Sequence, residues 1–329
     1  MSNTNINLHR AKKSKDDEFY TTYATISDEL SHYKEQFRNK IVLCNCDNPF
    51  KSNFCKYFID NFNVLGLKRL ICTSYSPSEP VQTDIFGNSK IAFSSKYGKI
   101  LDITEVNEDF DLYSSVKDLK GNGDFRSREC IEYMKVCDIV VTNPPFSLFK
   151  KLFLLIMQYQ KQFLIIGNQN ALTYKEIFPL LQSNQVWTGY QFGEMKFRVP
   201  KDSEPRSTRY WVDETGQKWR SLGNAMWLTN MDNERRHETL KLIQRFNPEI
   251  HPKYDNYDAI HIRNITEIPY DYQGIMGVPI TIINRYNSEQ FEIVGEANHG
   301  SDNEFDIFKP TINGKETFKR ILIRNRYAV

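Results

Sequence analysis

The sequence has no CxxC pair and no histidine cluster to accompany its six cysteines, which argues against a structural zinc site. No apolar stretch approaches the roughly 20 residues needed to span a bilayer. The first residues, MSNTNINLHRAKKSKDDEF, lack the apolar core of a secretion signal. A cytoplasmic setting with free thiols is therefore the expectation. Excess charge is scarce too: 43 Lys and Arg stand against 41 Asp and Glu, a net charge of +2. Such a chain is no polycation, so nucleic-acid binding would require basic groups concentrated on one face. Aromatics, by contrast, are plentiful, with 22 Phe and 18 Tyr to fill a core or to stack on planar ligands.

What is present first is strand–helix alternation. Apolar runs at Ile41–Asp47, Leu67–Thr73, Asp138–Thr142 and Gln162–Gly167 read as buried strands. Helical spacing falls at Ile26–Phe37, Asn53–Phe62, Ser127–Lys135, Ser147–Tyr159 and Tyr174–Gln182. The alternation predicts an α/β fold, a Rossmann-like parallel sheet with helices on both faces, whose ligands sit at the carboxyl ends of the strands. Residues 76–100, with Pro77, Pro80, Gly87 and Gly98, read as an irregular excursion. After about residue 186 the pattern changes: Trp187, Trp211, Trp219 and Trp227 appear together with Arg198, Lys201, Arg206, Arg209, Lys218 and Arg220. Later strand candidates are Ala259–Ile262, Val278–Ile283, Phe291–Val294 and Arg320–Ile323. Three segments are expected: a polar arm over 1–17, a catalytic domain over 18–185 and a mixed target-recognition region over 186–329.

The segment with the clearest chemistry is Asn143-Pro144-Pro145-Phe146, directly after the strand DIVVT. An exocyclic adenine amine is a poor nucleophile, because its lone pair is delocalised into the ring. An Asn side-chain oxygen and a rigid backbone carbonyl can accept its two N–H bonds and favour a more tetrahedral nitrogen. Two prolines stiffen the turn and remove competing N–H groups. Phe146 offers a face on which a base, becoming positive as it is methylated, can stack. No metal is required if the methyl donor is already activated, as in S-adenosylmethionine; positioning then supplies most of the catalysis.

Three further segments precede it. In GNGDFR, Asp124 can accept the amine of a cofactor adenine and Phe125 can stack on that ring. In DNPFKSNF, the turn Asp47, Asn48, Pro49 and Phe50 follows the first strand, where a cofactor's amino-acid end would approach. In DDEFYT, Phe19, Tyr20 and Thr21 can cover that end. Lys12, Lys13 and Lys15 form a basic arm that, with Arg198, Arg206, Arg209 and Arg220, supplies candidate phosphate contacts.

Read in order, KSKDDEFYT, CNCDNPFKSNF, GDFRS, CDIVVTNPPFSLF, LTYKEIF, KYDNYDAI and GIMGVPIT resemble the EcoRI-type adenine-specific DNA methyltransferases across nearly the whole chain. The resemblance implies S-adenosylmethionine as cofactor and a flipped adenine in double-stranded DNA as target, with GAATTC as the natural site. It implies Asn143, Pro144, Pro145 and Phe146 as catalytic, and Phe19, Tyr20, Thr21, Asp47–Phe50, Asp124 and Phe125 around the cofactor. A monomer is expected, sharing its site with a cognate restriction endonuclease. The turn after the first strand lacks the glycines usual in methyltransferases, and Cys72-Thr73-Ser74 stands where a ribose-binding acid is usual. NPPF-type turns also serve RNA and protein-glutamine N-methyltransferases, and a non-catalytic DNA-binding homologue would share the fold. The Arg- and Trp-rich stretch after residue 186 and the intact NPPF turn favour a DNA enzyme.

Overall fold

A computed structural model describes residues 20–76, 97–201, 203–297 and 310–328. Its contacts divide the chain into two compact units. The first comprises 1–168 and 193–231; the second comprises 169–192 and 232–329. The division differs from the linear boundary expected near residue 186, because the chain leaves the first unit after Asn168 and re-enters it at Gly193.

The larger sheet comprises β1 (Tyr20–Thr21), β2 (Ile41–Cys44), β3 (Arg69–Ser74), β4 (Lys99–Ile103), β5 (Val116–Asp118), β6 (Ile139–Thr142), β7 (Gln162–Asn168), β8 (Trp187–Arg198, of which 193–198 fall in the first unit), β9 (Tyr210–Val212) and β10 (Lys218–Thr229). The order is β1-β8-β10-β7-β6-β2-β3-β4-β5, with β9 paired to β10. The central strands β3, β2, β6 and β7 are parallel. They are apolar without alternation, as expected of strands covered on both faces: Val42, Leu43, Val140, Val141, Leu164 and Ile165 are all buried. From β2 the chain moves outward to β3, and from β6 it moves the other way to β7. The topological switch point thus lies between β2 and β6.

Polar caps start the helices beside this sheet. Thr22 caps α1 (Tyr23–Leu30), Ser52 caps α2 (Asn53–Asp60) and Ser127 caps α3 (Arg128–Val136), each side chain accepting a first-turn N–H. Helix α4 (Phe149–Gln158) follows the proline turn. Its Phe149 ring occupies the space a side chain at Gly167 would fill, with a built Cβ only 2.3 Å from Cε2. Within the excursion expected over 76–100, β4 begins at Lys99 and pairs antiparallel with β3. Gly123 has φ +78°, and a Cβ there would lie 2.1 Å from the Ser74 carbonyl oxygen. The GNGD turn therefore packs its backbone directly on the end of β3.

The second unit contains a sheet of β11 (Ala259–His261), β12 (Ile275–Val278), β13 (Phe291–Ala297) and β14 (Arg320–Asn325). Strands β11 and β12 are parallel, while β14 lies antiparallel between β12 and β13. Two expectations fail here. The run Val278–Ile283 is not a strand: β12 ends at Val278 and a 3-10 helix spans Ile280–Arg285. Pro279 between them has no N–H to continue the ladder. The helix expected over Tyr174–Gln182 is only Phe178–Gln182, preceded by a 3-10 helix over Gln169–Thr173. Pro179 suits a helix's first turn, not its interior, and so sets the start.

Candidate active site

The carboxyl ends of β2 and β6 meet at Asp47. Its backbone N–H donates to the Thr73 carbonyl at 2.9 Å, which ties the turn to the end of β3. One carboxylate oxygen accepts from the Ser52 hydroxyl and the other from the Thr142 hydroxyl, each at 2.6 Å. The carboxylate thus bridges the cap of α2 and the residue immediately before Asn143. It is buried, and burial pushes its pKa up to about 6 against the lowering effect of the two hydroxyls. Neither Ser52 nor Thr142 stands out in the sequence, although Ser52 lies within DNPFKSNF and is visible as a helix cap.

Asn143 follows Thr142 and is half-buried. Its amide Nδ2 donates to the Thr21 hydroxyl at 3.1 Å. Thr21 is itself buried, and its carbonyl accepts from Asn53 Nδ2 at 2.7 Å. Beyond Asn143, Pro144 is buried while Pro145 and Phe146 are half-buried. The turn's own hydrogen bonds use the carbonyls of Pro145 and Phe146, which accept from Leu148 and Phe149. Neither bond engages Pro144. The three-dimensional arrangement therefore brings Tyr20, Thr21, the turn Asp47–Phe50 and the turn Asn143–Phe146 to one end of the sheet, although they are distant in sequence.

The other anticipated residues fall as follows. Asn48 Oδ1 accepts from the Phe50 N–H at 2.9 Å and closes the turn; Pro49 is buried. Phe50 is exposed and stacks on Tyr113, with centroids 5.3 Å apart. Asp124 is paired with Arg126, whose backbone and side chain donate to its carboxylate and hold its pKa below the usual carboxylate range. Phe125 is buried, with the Arg126 guanidinium 5.7 Å from its ring centre. Phe19, Lys12, Lys13 and Lys15 lie outside the described residues.

Two buried polar atoms at the strand ends have no hydrogen-bond partner: Asn45 Oδ1 after β2 and Thr73 Oγ1 in β3. Such atoms are costly unless a ligand or water meets them, so this end of the sheet suits a polar cofactor. Thr73 stands where the ribose-binding acid is missing, and the sequence reading passed over both residues.

The candidate phosphate contacts Arg198, Arg206, Arg209 and Arg220 lie within 193–231 and so belong to the same unit as Asn143. The Arg198 guanidinium sits 5.4 Å from the Trp219 ring centre, and Trp219 stacks on Trp211. Arg209 has φ +55°, and its guanidinium lies against Gly223, where any Cβ would collide with it. Arg220 pairs across the ladder with Tyr210, and Arg206 is exposed on the connection between β8 and β9. Among the described residues no group of three or more His, Cys, Asp or Glu could hold a metal ion, and no helix is long and apolar enough to cross a membrane.

Comparison with known proteins gives the family. The chain is 45% identical to Type II methyltransferase M.EcoRI of Escherichia coli over 98% of its own length and 97% of the relative's. It is 37% identical to M.MpnI of Mycoplasma pneumoniae over 87% of its length and 84% of that protein. Against M.MgeORF184P of Mycoplasma genitalium it is 34% identical over 97% of its length and 98% of that protein. The model of the family described as "Adenine-specific methyltransferase EcoRI" matches residues 7–326, and by that match and these identities the chain belongs to the EcoRI family of adenine-specific methyltransferases.

Proposed function

We propose that this enzyme methylates N6 of an adenine extruded from double-stranded DNA, with S-adenosylmethionine as donor. The observation that carries the reading is the placement of Asn143 at the switch point of the sheet, anchored to Thr21 and joined through Thr142 to the Asp47 carboxylate. When bound, the cofactor supplies a methyl group already activated on a sulfonium. The protein's task is to orient the acceptor. Asn143 and the Pro144 carbonyl accept the two amine N–H bonds, and Phe146 stacks on the extruded ring. Base extrusion costs a few kcal/mol, which this stacking and phosphate contacts from Arg198, Arg206, Arg209 and Arg220 offset in part. Asp124 would accept from the amine of the cofactor's adenine, while Asn45 and Thr73 offer unpaired polar atoms at the strand ends. The turn Asp47–Phe50 and Tyr20 would hold the cofactor's amino-acid end. The enzyme acts as a monomer, and an endonuclease of the same site is its natural counterpart.

The test is Asn143→Ala. Turnover falls by roughly 100-fold or more, while cofactor affinity measured by calorimetry is unchanged, because the lost contact is made to the target amine. Turnover like that of the native enzyme would refute the assignment. Sequencing of modified bases in DNA from expressing cells identifies the site, with GAATTC expected.

A further inference from the structure

Thr21 holds a place that its position at the edge of the sheet does not suggest. It is one of two residues in β1, an edge strand too short to matter for stability on its own. Yet its side chain is buried and its hydroxyl receives the Asn143 amide N–H at 3.1 Å. The backbone of Thr21 is held from two directions. Asn53, in the first turn of α2, donates its side-chain amide to the Thr21 carbonyl at 2.7 Å. On the other side, Tyr20 pairs with Arg198 and Thr21 with Phe197 in the antiparallel ladder of β1 and β8. The next residue, Thr22, caps α1, which fixes the chain beyond the strand. The hydroxyl is therefore presented on a backbone with little freedom to move.

We infer that Thr21 is a positioning residue for methyl transfer: its hydroxyl fixes the Asn143 side chain at the angle needed to receive the target amine, and it does not serve chiefly to cover the cofactor. The inference rests on the catalytic reading of Asn143. An Asn side chain has a broad amide torsion, so a single anchored N–H removes most of its rotational freedom. Fixing that torsion before the base arrives preorganises the acceptor. The ladder adds a connection: the strand that carries the anchor is hydrogen-bonded to the strand carrying Arg198, a candidate phosphate contact. Engagement of DNA by β8 thereby bears on the element that orients Asn143.

The experiment compares Thr21→Val, which keeps the β-branched shape and removes the hydroxyl, with Thr21→Ser, which keeps the hydroxyl. Single-turnover methyl transfer at saturating DNA and S-adenosylmethionine is measured beside cofactor affinity by calorimetry and KM for DNA. Thr21→Val is expected to slow the methyl-transfer step by roughly 10- to 100-fold, with cofactor affinity and KM within about twofold of the native enzyme. Thr21→Ser is expected to restore the rate to within a few-fold. Retained cofactor binding shows that the variant is folded, and Thr21→Ala repeats the test with a smaller side chain. A native rate in Thr21→Val alongside an inactive Asn143→Ala overturns the positioning role alone. So does a loss confined to cofactor affinity, which would make Thr21 a cofactor contact. Full activity in Asn143→Ala overturns the catalytic reading and this inference with it.

Discussion

Replacing Asp47 by Asn removes a buried charge from the site and leaves a side chain of the same shape. The carboxyl has its ordinary value of 3.8 in the unfolded chain and about 6 in the folded one, chiefly because it is buried. The sign follows directly. Below the unfolded value both states hold the proton. Between the two values the folded state holds a proton that the unfolded state has released, so stability falls as pH rises through this window. Above about pH 6 the full cost of the buried charge is present, about 3 kcal/mol from the difference between the two values. Asparagine resembles the protonated acid, although one of the Ser52 and Thr142 hydroxyls must then reverse to accept from its amide. Asp47→Asn is thus expected to unfold in urea up to about 3 kcal/mol later than the native protein near pH 8, and at nearly the same free energy near pH 4. Tryptophan fluorescence follows the transition. The variant should also transfer methyl groups more slowly, since the tie that sets Thr142 and Asn143 has changed. A gain in stability with a loss in rate is the pattern of a group retained for function. A variant less stable than the native protein near pH 8, or a difference in stability that does not change between pH 4 and 6, refutes the reasoning.

Two other perturbations separate cofactor from DNA contacts. Asp124→Ala should weaken S-adenosylmethionine binding by about ten- to a hundred-fold in calorimetry, the worth of a hydrogen bond to an ionised group. Its effect on stability should be far smaller, because the exposed pair with Arg126 contributes about 1 kcal/mol or less; an unchanged affinity returns GDFR to the status of a turn. Removing charge at Arg206, Arg209 and Arg220 together should weaken DNA binding and reduce the slope of its salt dependence with cofactor affinity intact, and DNA affinity indifferent to both salt and these substitutions rules out this face.

The central strands were legible because the sheet buries both their faces, and an unbroken run such as DIVVT or QFLIIG has few other uses. Helical spacing made Asn53–Asp60 and Arg128–Val136 legible to within two residues. The motifs placed Asn143 and Asp47 at strand ends, and the structure has them there. Periodicity did not reveal that β8 and β10 extend the same sheet: their partly exposed residues, with Arg198 and Arg220 among them, read as a new domain. Nor did it reveal that Asp47 spends both oxygens on hydroxyls, or that Thr21 meets Asn143. These contacts join residues far apart in the chain through side chains of common type, and no local pattern marks them. Asn45 and Thr73 escaped for a related reason, since an unpaired buried atom is defined only by the packing around it.

The exit of the chain at Asn168 and its return at Gly193 bear on how the molecule is made and rearranged. During synthesis the sheet of the first unit cannot be completed when β7 emerges. The strands that pair beyond it, β10 and then β8, come from later in the chain. Until then β7, whose Phe163, Leu164, Ile165 and Ile166 are all buried in the finished fold, presents an open apolar edge of the kind that invites aggregation. A break placed at residue 185 would make that state permanent. The segment 169–192 is therefore not a tail to be trimmed or a cassette to be exchanged between homologues at one junction. Any graft of the second unit needs three junctions, at 168/169, 192/193 and 231/232, and must preserve the register of β7 with β10.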